Sequence, residues 1–434
     1  MRNALATRNP TAIGIFLVIL ALGVYLLSNP TRHNIYNHFV LQAEAFLQGS
    51  FPIPMPGFQD VMPLADRPGF GILPFPPLPA LVLLPAVLIW GEATNQGLIA
   101  VLLGAINVGL CWRMLTRVTD DARANFVATL FFAFGTVHWY AAMLGSTWFF
   151  AHVVAIPFLL LAITAALDGE RLDRARELIA QAGARVPARD LLDPMQFVSG
   201  LIFGIGALAR LTVIFGAPFF VFVGAGGTYW RRALSAGLDA LLPMLALLAF
   251  NVLSTGHFFN PAYEWLYHHE YLGYMPPDLQ INTSLGIEDI GHVPVNLLIM
   301  FGWLPKFDPS CGLTFLDTAR HCALLKPDAI GMSILLTSPA YLLAVPVVAT
   351  MWRQRLVAGS VLAIVAIAIV NLMHFSQGWV QFGYRFSNDF APFAVILVAL
   401  GLARYGLRWW TVGLVALSIA INAWGVYWGV VQGW

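Results

Sequence analysis

The sequence predicts an all-α, polytopic integral membrane protein with about 11 transmembrane helices and with interfacial helices in its first extracytoplasmic loop. Hydrophobic residues make up 59% of the 434 residues, and the mean hydropathy is +0.74. That composition is too apolar for a chain folded around a water-soluble core. Apolar segments close to the length of a membrane span recur along the chain, and the polar residues between them collect in a few long loops.

The first apolar segment, residues 11–28, follows Arg2 and Arg8. It is longer than a signal-peptide core of about 7–15 residues and has no small-residue cleavage site after it, so it is predicted to be a retained span. Residues 78–90 are apolar but short and contain Pro79 and Pro85, so they are predicted to lie at the membrane interface. Ten further spans are predicted at residues 98–112, 125–142, 148–167, 195–208, 211–227, 233–253, 331–351, 356–373, 390–403 and 410–430.

The chain is expected to form one transmembrane domain, residues 1–434, whose loops differ in charge. Residues 168–194 mix charges of both signs with strong helix formers and are predicted to be a cytoplasmic amphipathic connector. With a cytoplasmic N-terminus, sixteen of the 23 Lys and Arg residues lie on the inner side and seven on the outer side, in agreement with the positive-inside rule. Loops 29–96, 254–330 and 374–389 then face outward, where we expect the active site.

Charge and cysteine content narrow the choice of partners. The net charge is only +1 and no basic run is present, so a nucleic-acid partner is not expected. Cys311 and Cys322 lie in the second large outer loop without a zinc-type spacing. An oxidising compartment would allow them to form a disulfide, and the sequence leaves both the bonded and the free state open.

The first outer loop contains the candidate residues for acid–base chemistry. If an acceptor hydroxyl attacks a sugar carbon while a phosphate leaves, Asp60 or Asp66 can act as the general base. His38, Asn34 and Arg67 are predicted to bind the substrate. The histidines and asparagines of this loop match no strong metal motif, so no metal ligand is assigned and a divalent metal remains an open possibility.

The segment QFGYRFSNDFAPF places charge directly before an apolar span, where charges usually face a cavity or a partner. Arg385, with Tyr384 beside it, is predicted to bind a phosphate at the membrane surface. The alternative is an internal ion pair between Arg385 and Asp389, one helical turn away. Arg210 lies between two short apolar segments and is also a candidate phosphate ligand, with capping or snorkelling as its alternative.

Five segments in this order, NHFVLQAEAFLQG, FPPLPALVLLP, GLIFGIGALARLT, NVLSTGHFFNPAYEW and FGYRFSNDFAPF, resemble polytopic glycosyltransferases of the GT-C class. This class includes protein O-mannosyltransferases and aminoarabinose transferases. The resemblance implies transfer of a sugar from a polyprenyl-phosphate carrier at the outer leaflet to an acceptor, with inversion at the anomeric carbon.

The resemblance also implies roles for individual residues. Asp60 is the implied general base, Arg385 and Tyr384 hold the carrier phosphate, and Arg210 takes the place of an arginine that the family often has between short helices. Many members have an acid immediately after the first span, where this chain has His33, Asn34 and Asn37. That departure leaves Asp66 as the alternative base.

The sequence therefore predicts a membrane glycosyltransferase in the cell membrane of a prokaryote, with its active site on the extracytoplasmic side. Its expected partners are a polyprenyl-phosphate-linked sugar donor, membrane lipid, and an acceptor that is a lipid, a glycan or a protein. The alternatives are a transporter or flippase of a lipid-linked or anionic substrate, and a non-catalytic scaffold. A transporter is expected to show inverted repeats and broken spans at mid-membrane.

Overall fold

The computed structural model describes residues 9–30, 36–55, 60–183, 191–274, 285–312, 322–378 and 380–432, with the backbone alone at 269–274 and 431–432. Nearly all regular structure in these ranges is helical. The α-helices are α1 (Pro10–Ser28), α2 (His38–Leu47), α3 (Leu78–Trp90), α4 (Gln96–Val118), α5 (Ala122–Phe134), α6 (His138–Leu144), α7 (Thr147–Gln181), α8 (Pro194–Ala207), α9 (Pro218–Phe222), α10 (Tyr229–Thr255), α11 (Ala262–Tyr274), α12 (Val293–Leu297), α13 (Ile334–Thr337), α14 (Ala344–Met351), α15 (Arg355–Met373), α16 (Ala391–Tyr405) and α17 (Trp409–Gln432).

Within the described residues, six helices are long and apolar enough to cross a membrane, and α5 with α6, bent by 49°, makes a seventh if the pair is one span. The polytopic helical architecture is confirmed, whereas the count of eleven is not. Two predicted spans are interrupted. Residues 211–227 hold a 3₁₀ helix, Leu211–Gly216, and the short α9, while residues 331–351 hold α13, the 3₁₀ helix Pro339–Leu343, and α14. Proline begins or follows each break, as expected for a residue that cannot donate to the preceding turn.

Helix α7 is the longest element, with 35 residues. It continues well past the predicted span at 148–167 and includes the first half of the predicted connector, which is therefore an extension of a span rather than a separate helix. Its N-terminal half is buried against α4 and α8. Residues of the loops 29–96 and 374–389 are arranged around the N-terminal end of α7.

The first outer loop folds into α2, a small sheet and α3. The strands are β1 (Ile53–Pro54), β2 (Met62–Pro63) and β3 (Phe70–Ile72), with β3 in the middle and antiparallel to both neighbours. Gly71 is needed in β3 because a Cβ there would lie 2.5 Å from the carbonyl oxygen of Met62. The two helices agree with the predicted interfacial helices, and the sheet was not predicted.

Helix α8 and the segment Leu211–Phe222 form a helical hairpin whose tip is Arg210. The buried side chain of Gln196 closes the other end of the hairpin by donating to the carbonyl oxygens of Phe220 (2.6 Å) and Val223 (3.4 Å). Gly200 allows α10 to pack closely on α8, because a Cβ there would lie 2.1 Å from the carbonyl oxygen of Ala236. This packing holds Arg210 at one defined place in the fold.

The second large outer loop contains a disulfide between Cys311 and Cys322. Next to it, strands β4 (Lys306–Phe307) and β5 (Leu325–Lys326) pair in antiparallel fashion. The loop also reaches the first outer loop, where the Asn260 side chain donates to the carbonyl oxygen of Leu73 at 2.7 Å. The two large outer loops therefore lie on the same side of the helical core.

Candidate functional site

The N-terminal turns of α7 are the centre of the candidate site. Gly145 closes α6 in a left-handed conformation with φ +60°, and a Cβ there would lie 2.6 Å from that of Ala100. The buried side chain of Gln96 donates to the carbonyl oxygen of Gly145 at 2.8 Å. Only glycine fits this turn, so α7 begins at a fixed position with Thr147 at its first residue.

The first cluster joins α7 to the first outer loop through Asp60, which is 2% exposed. His38 Nε2 lies 2.7 Å from Asp60 Oδ1, and His38 Nδ1 lies 2.7 Å from the Thr147 hydroxyl oxygen. That hydroxyl donates to the carbonyl oxygen of Tyr36 at 2.8 Å. Asp60 Oδ2 is buried and makes no hydrogen bond within the described residues. Asp60 therefore has one oxygen fixed by His38 and one buried oxygen without a hydrogen-bond partner among the described residues.

The second cluster surrounds the buried carboxylate of Asp389, which lies in the outer loop 374–389. Arg210 donates to it from Nε (3.3 Å) and Nη2 (3.0 Å), and His152 Nδ1 lies 2.8 Å from Oδ1. Thr212 and Asn371 donate to Oδ2 at 2.7 and 3.3 Å. Burial raises the pKa of Asp389, but the guanidinium of Arg210 and the ring of His152 outweigh burial and hold the pKa well below its usual range.

Arg385 lies in the 3₁₀ helix Arg385–Asp389, and its side chain is nearly buried. The guanidinium carbon is 5.6 Å from the ring centre of Phe149 and 5.2 Å from that of Phe386. Gly378 makes room for it, because a Cβ there would lie 2.5 Å from Arg385 Cζ. The ring of Phe386 also faces Arg210, at 5.1 Å. Both predicted phosphate-binding arginines are therefore gathered around one aromatic ring.

Several buried polar groups near Arg385 make no hydrogen bond within the described part of the chain. They are the hydroxyls of Tyr384 and Tyr140, both side-chain atoms of Asn388, and His152 Nε2. Buried polar groups are normally hydrogen-bonded, so a group of them around a cation indicates a place for a polar ligand. Hydroxyl, amide and guanidinium donors together suit an anion.

Helix α7 connects the two clusters. Thr147 contacts the His38 and Asp60 pair, Phe149 lies under Arg385, and His152 bonds Asp389. These contacts fall within about 8 Å along the helix axis, given a rise of 1.5 Å per residue. A carboxylate with one oxygen unpartnered among the described residues and an anion-binding group are thus held next to the same two turns of one helix.

The predicted site residues separate into three groups. Asp60, His38, Arg385, Tyr384 and Arg210 are brought to the clusters on α7. Asp66 and Arg67 are exposed at the tip of the β2–β3 hairpin, where Arg67 stacks on Phe70 at 3.8 Å. Asn34 lies outside the described residues. Among the ion pairs of the described residues, Asp389 pairs with Arg210, so the sequence alternative of an Arg385 to Asp389 pair is corrected.

Sequence reasoning missed Thr147, directly before the span predicted at residues 148–167, and His152, within that span. Thr147 and His152 are about one and a half helical turns apart on α7, so they contact different loops. The signal that was available is the Gly145–Ser146 pair directly before a span, which marks the start of a helix. Within the described residues, no group of three or more His, Cys, Asp or Glu side chains is placed to hold a metal ion.

Comparison with known proteins gives one result at the level of the fold. No protein-family model matches the chain, and no curated protein matches it in sequence. Its structure is similar to that of ArnT from Cupriavidus metallidurans bound to undecaprenyl phosphate, with a TM-score of 0.55 and 14% identity over 96% of this chain and 75% of that chain.

Proposed function

We propose that this chain, whose polytopic helical fold is similar to that of ArnT, is a membrane glycosyltransferase of the GT-C class. It would move a sugar from a polyprenyl-phosphate carrier to a hydroxyl acceptor, with inversion at the anomeric carbon. The observation that carries the proposal is that Asp60, through His38 and Thr147, and Arg385, over Phe149, are both held next to the first two turns of α7. The ArnT structure holds undecaprenyl phosphate, which supports a carrier of this class here.

In the proposed reaction, Arg385 binds the phosphate of the donor, with the hydroxyl of Tyr384 and the amide of Asn388 as further donors. The acceptor oxygen attacks the anomeric carbon from the side opposite the phosphate, and a new C–O bond forms. The bond between the anomeric carbon and the phosphate oxygen breaks, and its electron pair leaves with the phosphate. Asp60 Oδ2 takes the acceptor proton.

Only one carboxylate is required by this chemistry, because a phosphate is a good leaving group and needs no general acid. Arg385 stabilises the charge that develops on the leaving phosphate in a water-poor site, where such stabilisation is strongest. The N-terminus of α7 adds a partial positive charge on the same side. Arg210 is committed to Asp389 and is proposed to position the loop that carries Arg385.

The disulfide supports an extracytoplasmic site. Cys311 and Cys322 are bonded in the second outer loop, and disulfides persist in oxidising compartments. That loop contacts the first outer loop, which supplies Asp60. A cell-membrane protein with its active site outside the cytoplasm, as the arginine distribution predicts, agrees with both observations.

One feature favours transport as the second candidate function. Asp239 lies in the interior of α10, buried, and neither of its carboxylate oxygens has a hydrogen-bond partner within the described residues. Pro243 removes the backbone donor that would bond the Asp239 carbonyl oxygen. Acidic groups inside membrane helices often mark ion or substrate pathways, so translocation of a lipid-linked substrate is the alternative to test.

The test compares Asp60→Asn with Asp66→Asn in proteoliposomes containing a polyprenyl-phosphate sugar. Asp60→Asn is expected to bind the donor normally and to transfer the sugar about 10²- to 10⁴-fold more slowly. Asp66→Asn, on the exposed hairpin, is expected to keep the normal transfer rate. Full transfer by both variants would exclude Asp60 as the base. Movement of a labelled lipid across the bilayer without any transfer product would support the transport alternative instead.

A further inference from the structure

The ring of His38 is fully buried and bonded at both nitrogens. We infer that His38 is a positioning residue for Asp60, that Thr147 in turn fixes His38, and that the pair is an imidazolium–carboxylate ion pair. This inference rests on the proposed function, in which Asp60 is the base. It concerns His38, for which the sequence suggested substrate binding, and Thr147, for which it suggested no role.

The charge of the His38 ring follows from the directions of its hydrogen bonds. A hydroxyl has one hydrogen, and that of Thr147 is donated to the carbonyl oxygen of Tyr36. The Thr147 oxygen is therefore an acceptor toward His38 Nδ1, which must carry a hydrogen. The 2.7 Å contact between His38 Nε2 and Asp60 Oδ1 also needs a hydrogen, and the proposed function, in which Asp60 is an ionised base, places that hydrogen on Nε2. A histidine that donates from both nitrogens is the imidazolium form.

Aromatic rings hold this geometry in place. The ring of Tyr36 is parallel to that of His38 to within 9° at 6.4 Å, and Trp148 lies at 5.9 Å. Phe75 approaches edge-on at 6.4 Å. With rings on several sides and both nitrogens bonded, His38 has little freedom to rotate, so it fixes the orientation of the Asp60 carboxylate.

The ion pair serves the proposed reaction in two ways. It holds the buried Asp60 carboxylate in one orientation. It also occupies Oδ1, so that only Oδ2, which has no partner within the described residues, can accept the proton of the acceptor. Disturbing His38 should therefore change proton transfer and leave binding of the donor phosphate intact.

The experiment uses the full-length protein and compares Thr147→Val, which is close in shape but has no hydroxyl, with Thr147→Ser, which keeps it. Thr147→Val is expected to lower kcat about 10- to 100-fold with an unchanged KM for the donor. Thr147→Ser should restore most of the rate.

A second measurement does not depend on activity. In ¹⁵N NMR of protein labelled at histidine, the signal that His38→Gln removes should show an imidazolium at pH 7, and Thr147→Val should convert it to a neutral ring. A neutral ring in the unaltered protein overturns the inference. So does a Thr147→Val variant with normal kcat beside an inactive Asp60→Asn, although the proposed function then stands. Full activity of Asp60→Asn would instead contradict the proposed function.

Discussion

Replacing Asp389 with asparagine tests the arrangement that places Arg385. The carboxylate accepts from Arg210, His152, Thr212 and Asn371, and it lies in the same 3₁₀ helix as Arg385. Asparagine keeps the shape but removes the charge and turns one acceptor into a donor. The donors that met the lost acceptor are then left buried without a partner.

The expected cost is large. Breaking a buried ion pair by removing one partner costs about 3–5 kcal/mol, because the remaining charge is left uncompensated. The side chain of Arg210 is only 19% exposed and that of Asp389 is 0% exposed, so solvent screens the pair little. Arg210→Met is expected to have a similar effect. The double variant should be less destabilised than the sum of the single variants, by about 1.5–3 kcal/mol.

Equilibrium unfolding by SDS in mixed micelles, measured for the four proteins of this double-mutant cycle, gives the coupling between Arg210 and Asp389. The cycle should be repeated at acidic pH. The pKa of Asp389 is lowered in the folded protein, so its contribution is present above the unfolded value of about 3.9 and is lost as pH falls below it. Additive effects, with a coupling below about 0.5 kcal/mol, would refute the reasoning.

Three further changes test other parts of the site. Arg385→Gln should raise the donor KM about 10- to 100-fold, since it removes a charge-assisted bond to phosphate; an unchanged KM in a steady-state transfer assay would contradict this. Gly378→Ala, with φ +91° and a Cβ 2.5 Å from Arg385 Cζ, should raise the same KM and cost about 1–3 kcal/mol, whereas Gly237→Ala, where a Cβ meets nothing within 4 Å, serves as the glycine control. Cys311→Ser should lower the unfolding free energy by roughly 2–3 kcal/mol by opening the loop to Cys322, and an unaltered denaturation curve would contradict that role.

The parts of the fold that follow from long apolar periodicity were predictable from the sequence. Helices α1, α10, α15 and α17 begin and end within a few residues of the predicted spans, because about 20 consecutive apolar residues have no alternative in a membrane. The predictions for two shorter apolar segments differ from the structure, where both predicted spans are interrupted. Residues 211–227 and 331–351 are as apolar as the true spans, but prolines and glycines divide them into pieces whose geometry depends on packing against other helices.

The same distinction applies to the candidate site, where single residues could be found from the sequence but their partners could not. Asp60 and Arg385 stand out in the sequence because charge is rare in an apolar chain. Which charges pair is a matter of tertiary structure, and Asp389 pairs with Arg210, 179 positions away, rather than with Arg385 one turn away. The role of Thr147 was missed because a threonine at the start of a span is ordinary until the loop that packs on it is known.

The most direct measurement is a structure of the protein with a polyprenyl phosphate bound. The phosphate should lie within hydrogen-bond distance of the Arg385 guanidinium, on the side of the membrane where Cys311 and Cys322 are located, with Asp60 Oδ2 facing the space beside it. A phosphate bound at the Asp66–Arg67 hairpin, or at the cytoplasmic end of α7, would contradict the assignment of this site.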